Sequence, residues 1–550
     1  MHIRALTTTV AIPFTAASRR SKFPNLQYAR IGYTGCMLSC IGITSLLLTV
    51  LPAGSAQDHV AAAAYHDQGM ALYRAHDAQG AIRELKRAVE IDARYAEAWN
   101  DLGVIQRQQG DLKTALECFR KAIGAKPQFV AGLYNLALAL DVSGDVGAGL
   151  EQAHTVVALA PRMPQAHALC GRLLMELNRL EAARDELRQA VELDPTLASA
   201  RTNLGAALYK LGHVSEALSE LRQAVQIDPH SAQAEFQLGL ALLASGAEDE
   251  AKASFERAVK LDPKSVDARI NLGQIEENGG HIEQATAEYR DATRIAPDNA
   301  EAALHLARAL IKTGDLSHAR SVIDVALARN PTYGALYFER GKLLARAAQK
   351  EAALRDLETA IRLNPRAAEF YVELSRVLRE LGRTDEQKTA LETAVRIDPD
   401  LVEARYALAN LARQLGDTAM SREQFAKVQQ LREAEVNRDL ALGAIRAGVA
   451  LAEKHEYDAA IEQFRKAIGI NPNLGEAHFD LGGALVAQGE LMVAISSFRE
   501  AIRLAPEWAE AHFQLGRALL QAGRRDEAMA EFRTALKYDP EHAGARQALQ

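Results

Sequence analysis

Cysteine is the first residue type in this chain whose side chain could be reactive or bind a metal, and the sequence contains four cysteines. Cys36 and Cys40 fall in an N-terminal segment that we expect to be removed, whereas Cys118 and Cys170 stand alone on helical patterns. None of the spacings between them resembles a metal-binding motif or a disulfide framework. We therefore predict that Cys118 and Cys170 are buried free thiols without a catalytic role.

Histidines supply the second candidate chemistry. His478 and His512 occupy equivalent places in two successive 34-residue segments, so stacking of the segments would make them a ligand pair. The alternative is that they are ordinary, partly exposed helix residues, because no carboxylate or cysteine lies at a spacing that would complete a site. The chain also contains no phosphate loop, nucleophile elbow or HExxH motif. The sequence predicts no catalytic, metal or cofactor site.

The prolines recur at a strict spacing, and the repeat structure behind this spacing must position any functional residue. Twelve of the sixteen prolines mark it: Pro127, Pro161, Pro195, Pro229, Pro263, Pro297, Pro331, Pro365 and Pro399, each 34 residues after the last, and then Pro472, Pro506 and Pro540. With each of these prolines taken as position 32, fourteen repeats start at residues 62, 96, 130, 164, 198, 232, 266, 300, 334, 368, 402, 441, 475 and 509. A period of this length indicates a repeat protein.

Other positions keep the same period. Position 8 is always small, position 20 is alanine in eleven repeats, position 27 is alanine in twelve, and position 24 is large in thirteen. We interpret each repeat as two packed helices, A and B, in which small residues permit a close approach and position 24 fills the remaining groove. Glycine at position 15 ends helix A, and the proline stops helix B.

These segments resemble tetratricopeptide repeats, as in residues 96–103, which read AEAWNDLG, followed by Ala115, Phe119, Ala122 and Pro127. The resemblance covers nearly everything after the leader. It implies an all-α fold, an α-solenoid of helix-turn-helix hairpins that forms a right-handed superhelix. It also implies that positions 2, 5, 6, 9, 12 and 13 of helix A face a groove that receives a peptide or a helix from a partner protein.

Two groups of side chains are candidates for contact with such a partner. Amides at position 6, among them Asn135, Asn203 and Asn271, are able to pair with a ligand backbone, although a solvated polar stripe explains them equally well. Three consecutive repeats carry cations at positions 9, 12 and 13, and these residues are Arg308, Lys312, Lys342, Arg346, Arg376 and Arg379. They suit an acidic segment or a C-terminal carboxylate, unless the nearby Glu339, Glu373 and Glu380 neutralise them.

Two repeats depart from the pattern. In residues 130–163, positions 20 and 24 are Gly149 and Ala153, so we predict a soft joint where helix B lacks its large residue. In residues 402–435 the proline is missing, and the insert 436–440 precedes the next register. Because residues 417–442 contain no glycine or proline, we predict one continuous helix that links eleven repeats, 62–435, to three, 441–542. Residues 543–550 read as a truncated helix that caps the array.

The N-terminal segment, residues 1–56, is a predicted export signal. It carries five basic residues and no acidic ones, an uncharged stretch from Ile31 to Leu51, and small residues at Gly54 and Ala56 that suit cleavage after Ala56. The alternative is an uncleaved anchor, since 21 residues are enough to span a bilayer. The pair Arg19-Arg20 hints at twin-arginine export, but Lys22 stands where that motif needs an apolar residue. All these versions place the repeats outside the cytoplasm.

Charge and length narrow the function. The net charge of the chain is −7, and −12 without the leader, which argues against a nucleic-acid surface. Repeats, insert and tail account for residues 62–550, so we expect no catalytic domain such as a glycosyltransferase. We predict a non-catalytic extracytoplasmic scaffold for protein or peptide partners in envelope assembly, secretion or polymer export. The alternatives are a non-catalytic partner of an enzyme such as a glycosyltransferase, and a self-associating structural array.

Overall fold

Helical hairpins follow one another along the chain in the predicted register. The computed structural model describes residues 54–539 and 542–549, and these form 28 α-helices and no strand. The helices are α1 Gly54–Arg74, α2 Ala78–Ile91, α3 Ala96–Gln108, α4 Leu112–Ala125, α5 Val130–Val142, α6 Val146–Leu159, α7 Pro164–Glu176, α8 Leu180–Leu193, α9 Ala198–Lys210, α10 Val214–Ile227, α11 Ala232–Ala244, α12 Glu248–Leu261, α13 Val266–Asn278, α14 Ile282–Ile295, α15 Ala300–Lys312, α16 Leu316–Arg329, α17 Gly334–Arg346, α18 Lys350–Leu363, α19 Ala368–Glu380, α20 Thr384–Ile397, α21 Val402–Gln414, α22 Thr418–Glu453, α23 Tyr457–Ile470, α24 Gly475–Gln488, α25 Leu491–Leu504, α26 Ala509–Gln521, α27 Arg525–Tyr538 and α28 Ala543–Leu549. The all-α hairpin fold predicted from the sequence is confirmed.

Each hairpin turns through a left-handed residue at position 15. Gly110 has φ 85°, and most other repeats also have glycine there. Asn178, Ala348 and His455 adopt the same conformation although they carry a Cβ atom, with φ of 56°, 57° and 62°. The next helix begins immediately, and Asp111 caps α4 by accepting a hydrogen bond from the Thr114 N–H at 3.1 Å. The turn geometry is therefore set by the packed helices rather than by glycine alone.

The small residue at position 8 lies against the large residue at position 24. A Cβ atom added to Gly103 would come within 2.7 Å of Cε1 of Phe119, and one added to Gly239 within 2.6 Å of Cε1 of Phe255. The Phe119 and Phe255 rings are completely buried. Glycine is required at these positions because the ring occupies the space that a side chain would take.

The third repeat forms both of its helices despite its unusual sequence. Val156, Ala153 and Leu150 of α6 are buried, and a Cβ atom added to Gly149 would lie 3.2 Å from the Ala137 carbonyl oxygen. Gly149 therefore has a packing role, which is to let α6 approach α5. The soft joint that the sequence suggested there remains a prediction.

Replacing each of the two glycines of α6 with alanine tests whether Gly149 has a packing role. Gly147→Ala is expected to stabilise the chain by about 0.5–1 kcal/mol, because Gly147 is exposed, helical and free of neighbours within 4 Å. Gly149→Ala is expected to destabilise it by about 1–2 kcal/mol through contact with the α5 backbone. Urea denaturation of the two variants measures both effects, and stabilisation by Gly149→Ala would contradict the packing role.

The irregular stretch near residue 436 lies inside one long helix, as predicted. Helix α22 has 36 residues and joins helix B of one repeat to helix A of the next, with residues 432–440 exposed. The predicted insert 436–440 is therefore helical rather than a loop. The chain forms two compact units. Their described parts are residues 54–363 and residues 364–539 with 542–549, so the boundary between the units does not coincide with the insert.

The two ends of the described chain agree with the prediction to different degrees. Helix α1 starts at Gly54, eight residues before the first predicted repeat, whereas the predicted truncated helix at the C-terminus is present as α28. The export signal predicted at 1–56 lies outside the described residues, apart from the first turn of α1. In the described part of the chain, no helix combines the length and the apolarity needed to cross a bilayer.

Candidate binding face

Within each unit, helices A of neighbouring repeats lie side by side, and their side chains meet in a fixed register. Position 9 of one helix contacts position 6 of the next: Arg308 Nε donates to Glu339 Oε1 at 2.8 Å, and Gln274 Nε2 lies 3.2 Å from His305 Nε2. Near the other end of the helices, position 13 contacts position 12 of the preceding repeat, as in Lys312 with Glu277. We call the surface formed by positions 2, 5, 6, 9, 12 and 13 of helices A the helix-A face.

Most of the predicted basic cluster is neutralised within the fold. Glu339 is 2% exposed and accepts from both Arg308 and Lys342, the latter at 2.9 Å, while Lys312 pairs with Glu277. These contacts all lie in the unit of residues 54–363. Because Glu339 and Glu277 already hold their charges, these three cations do not form a free basic surface.

Of the remaining three cations, one is paired within the fold and two are not. Arg346 belongs to residues 54–363, is exposed and makes no ion pair with any described residue. In the unit from 364 onward, Arg376 pairs with Glu373 at 2.5 Å and with Glu403, whereas Arg379 is exposed and has no ion pair within the described chain. The six predicted residues therefore lie in two separate units, and only Arg346 and Arg379 are left uncompensated.

The predicted amide row is also partly used internally. Asn135 Nδ2 donates to Asn100 Oδ1 at 2.9 Å, and Asn271 Nδ2 donates to the Asp267 carbonyl at 2.8 Å. Asn203 is half-buried and has no hydrogen bond to a described residue. Of the three candidate amides, Asn203 keeps its full capacity for a ligand backbone. The buried Asn100, a polar residue at position 5, was a signal that the sequence interpretation missed.

Aromatic side chains at position 5 mainly complete the core. The Phe236 ring lies 5.9 Å from that of Phe255, and the Phe479 ring 5.7 Å from that of Phe498. Tyr406 differs, because it is 47% exposed although its ring still touches Phe425. Each of these two pairs joins positions 5 and 24 of one repeat, so the contacts lie within a hairpin.

A polar network in the unit of residues 54–363 was not anticipated from the sequence. The His305 ring stacks on Tyr289 at 5.1 Å, and the Tyr289 hydroxyl donates to Glu277 Oε2 at 2.9 Å. Burial, together with the charge of Arg308, lowers the pKa of His305 to about 4. His305 is therefore neutral at physiological pH and acts as a hydrogen-bonding group rather than as a cation.

Three carboxylates of the helix-A face have no cation partner among the described residues. Burial raises the pKa of Asp267, and burial together with the charge of Asp267 raises the pKa of Glu301. Burial, reinforced by the charge of Glu476, raises the pKa of Asp480 to about 6. These groups lose solvation without gaining a partner, so their charges disfavour folding.

The structure rejects the idea that His478 and His512 form a ligand pair. Each histidine contacts the carbonyl of the proline six residues earlier: His478 Nε2 lies 3.1 Å from Pro472 O, and His512 Nε2 lies 3.0 Å from Pro506 O. Arginines at the same position 4 behave alike, as when Arg201 Nε donates to Pro195 O at 2.9 Å. A histidine or arginine at position 4 therefore satisfies the proline carbonyl that precedes its helix A, which is a structural role.

The second nitrogen of His512 makes this contact dependent on pH. His512 Nδ1 lies 2.6 Å from Glu531 Oε2. Burial of the ring lowers its pKa, but the hydrogen bonds with Glu531 and the Pro506 carbonyl outweigh this effect and raise the pKa of His512 above 6.5. The protonated ring donates from both nitrogens, so the protonated form stabilises the last repeat.

We expect the stabilisation by His512 to be lost as pH rises. Because the folded pKa is raised, the contribution is fully present below pH 6.5 and disappears once the pH passes the folded pKa. His512→Gln should therefore be clearly less stable than the parent chain at pH 5.5 and closer to it at pH 8.5. Chemical denaturation at both pH values measures the gap, and a gap that widens with pH would refute the assignment.

Neither thiols nor metal-type clusters add chemistry to the described chain. Cys118 and Cys170 are buried and free, as predicted, and burial raises the pKa of these thiols to about 11 and about 12. Both are protonated at neutral pH and are poor nucleophiles. Within residues 54–539 and 542–549, no group of three or more histidine, cysteine, aspartate or glutamate side chains is placed to hold a metal ion.

Family models match most of the chain. Models of the tetratricopeptide repeat match residues 66–128, 171–212, 202–266, 236–299, 280–347, 338–402, 402–435, 448–489 and 479–543. The matched ranges omit 129–170 and 436–447, which are the two places where the repeat pattern is irregular. Among curated proteins, none matches the sequence significantly.

Solved structures with some similarity are repeat proteins of low sequence identity. The Cut9-Hcn1 APC/C hetero-tetramer is 16% identical over 90% of this chain and 98% of that chain, with a TM-score of 0.37. PilF of Pseudomonas aeruginosa is 21% identical over 42% of this chain and 99% of that chain, with a TM-score of 0.36. YrrB, described as a TPR protein with an unusual peptide-binding site, is 20% identical over 34% and 95%, with a TM-score of 0.29. These scores are too low to transfer function.

Proposed function

Since this chain belongs to the tetratricopeptide repeat family, we propose that it is a non-catalytic scaffold whose helix-A face binds protein or peptide partners outside the cytoplasm. The observation that carries the proposal is the set of polar groups that the fold leaves without partners on this face. Asn203, Arg346 and Asp267 have no side-chain hydrogen bond or ion pair to another described residue. Asn203 is the strongest of the three, because it is half-buried and polar groups that lose solvent contact normally acquire partners within the protein, whereas Arg346 and Asp267 are exposed.

The more specific proposal is that the helix-A face binds acidic segments of a partner. The ion pairs within the fold reduce the number of cations that are available for this contact. Arg308, Lys312, Lys342 and Arg376 are already paired, so contact with an acidic segment depends on Arg346 in the unit of residues 54–363 and, separately, on Arg379 in the unit from 364 onward. Each of these two arginines is exposed and at the end of its helix A. Exposed charges of this kind contribute specificity and association rate more than affinity.

Photo-crosslinking tests whether the helix-A face is the binding surface. A photoreactive phenylalanine analogue is placed at Asn203 or at Arg346 on this face, and at Val325, which is 52% exposed on helix B, as the control. We expect the same adduct from the first two sites after irradiation of intact cells, and none from Val325. Equal adducts at all three sites, or at Val325 alone, would contradict the proposal.

The extracytoplasmic location rests on residues 1–56. We expect the N-terminus of the purified mature protein to be Gln57, and we expect protease added to spheroplasts to digest the repeats. An uncleaved anchor would give the intact N-terminus but the same digestion. Repeats that resist protease until the cells are lysed would place the scaffold in the cytoplasm and exclude export.

A further inference from the structure

The helix-A face changes character in the last three repeats. Position 9 is polar in each of the five repeats from 266 to 435. In the last three repeats Arg517 keeps a charge at position 9 and donates to Gln514, but positions 9 and 12 of α22, α24 and α26 are mostly apolar or small, with Val449, Gly483, Val486 and Leu520. Val449 is 38% exposed and Leu520 is 43% exposed. We call these four residues the C-terminal apolar strip.

Gly483 makes a gap in the middle of this strip. It is exposed, and a Cβ atom added to it would meet no heavy atom within 4 Å. This glycine therefore differs from Gly482, which precedes it and where an added Cβ atom would lie 2.7 Å from Cε1 of Phe498. Since neither a tight turn nor close packing requires glycine at 483, the space above it is available to a side chain from outside the repeat array.

A single carboxylate lies beside the gap. Asp480 is one helical turn before Gly483 on the same face of α24, is half-buried, and makes no hydrogen bond or ion pair with any described residue. The charge of Glu476, which is also negative, acts on it. The fold therefore keeps an acid where an amide of the same shape would be more stable, which is common at functional positions.

We propose that the C-terminal apolar strip binds an amphipathic helix of a partner protein that carries one lysine or arginine within its apolar face, and that this cation pairs with Asp480. This inference rests on the proposed function and names the class of segment that this part of the helix-A face takes. A helix of about 14 residues, or about 20 Å, is long enough to cross three neighbouring helices packed about 10 Å apart.

The chemistry favours this occupant over two others. A fully apolar helix would cover Asp480 and leave a desolvated charge without a partner, which is unfavourable. A helix with an acid at the same place would be repelled by Asp480 and Glu476. A lysine or arginine has an apolar stem that can lie along Val449 and Val486 while its charged end reaches the carboxylate.

The test uses three labelled 16-residue peptides and the full-length purified chain. The peptides share one amphipathic leucine-alanine helix with a serine-glutamine outer face, and differ only in a central lysine, glutamine or glutamate on the apolar side. Fluorescence anisotropy at pH 7.5 should show the lysine peptide binding at least tenfold more tightly than the glutamine peptide, and the glutamate peptide binding most weakly.

Two variants and one control locate the interaction. Asp480→Asn should remove the difference between the lysine and glutamine peptides without loss of stability, and Gly483→Gln should weaken both peptides by filling the gap. Asp267→Asn, which neutralises a comparable unpaired acid in a distant repeat, should change neither. Equal binding of the two peptides by the parent chain, unchanged discrimination by Asp480→Asn, or no binding up to millimolar peptide would overturn the proposal.

Failure of this inference is distinguishable from failure of the proposed function. The crosslinking sites Asn203 and Arg346 lie in the unit of residues 54–363, whereas the C-terminal apolar strip belongs to the unit from 364 onward. Adducts at those sites, combined with no peptide binding here, would remove the strip as a docking site and leave the scaffold proposal intact.

Discussion

Replacing Phe255 with alanine is expected to lower the free energy of unfolding by about 3–5 kcal/mol, the largest effect of any single substitution considered for this chain. The Phe255 ring is completely buried and lies in the space above Gly239. Its removal leaves a cavity between the flanking helices α11 and α12, which the ring fills in the native fold. The loss should appear in urea denaturation and as faster amide exchange in α11 and α12.

The matched control is Phe255→Leu. Leu187 and Leu221 occupy the same position 24 in other repeats, opposite Gly171 and Gly205, so leucine is compatible with the site. We expect this variant to lose less than about 1.5 kcal/mol. If Phe255→Ala and Phe255→Leu were equally stable, position 24 would not be the residue that holds the two helices together. Because repeats interact mainly with neighbours, the exchange should remain slow in distant repeats.

Glu339→Gln is expected to increase the positive charge of the helix-A face more than any other single substitution described for this chain. Glu339 accepts from both Arg308 and Lys342, so the neutral amide weakens two charge-assisted hydrogen bonds. We expect a loss of about 1–2 kcal/mol in stability, limited because water still reaches both cations. The released charge should also raise the affinity for a hexaglutamate peptide at least fivefold at low salt.

The control for this prediction is Glu358→Gln in α18 of the same repeat. Glu358 is exposed, and its replacement changes the net charge of the chain by the same amount without releasing a paired cation. Fluorescence anisotropy with labelled hexaglutamate, at 50 mM and 500 mM salt, separates the two variants. Equal affinities for the two variants would show that Arg308 and Lys342 are not available to an acidic ligand, even when Glu339 is neutral.

The sequence alone was sufficient for the hairpins and their register. Helix B has to stop before each proline, and the small residue at position 8 has to face the large one at position 24, as Gly103 faces Phe119. These constraints are local and recur in most repeats, so a single sequence displays each of them many times. The long helix α22 followed in the same way from the absence of glycine and proline between 417 and 442.

The candidate site was only partly accessible to the same reasoning. The period placed Arg308, Lys342 and Glu339 on one face, and the sequence interpretation noted that Glu339 was close enough to neutralise its neighbours. Spacing does not say which carboxylate oxygen a cation reaches. That one buried glutamate accepts from two cations depends on how α15 and α17 are offset, and this is a property of the packed helices.

Tertiary structure alone decided which polar groups remain available to a partner. His512, at position 4, has its two ring nitrogens committed to Glu531 and Pro506, whereas Asp480, at position 6 of the preceding repeat, has no partner within the described chain. The physical reason is that a hydrogen bond or ion pair forms within about 3–4 Å, and side-chain geometry at that scale is not encoded by a 34-residue period. The sequence determined the repeated scaffold, and the packing of neighbouring repeats determined the chemistry of its surface.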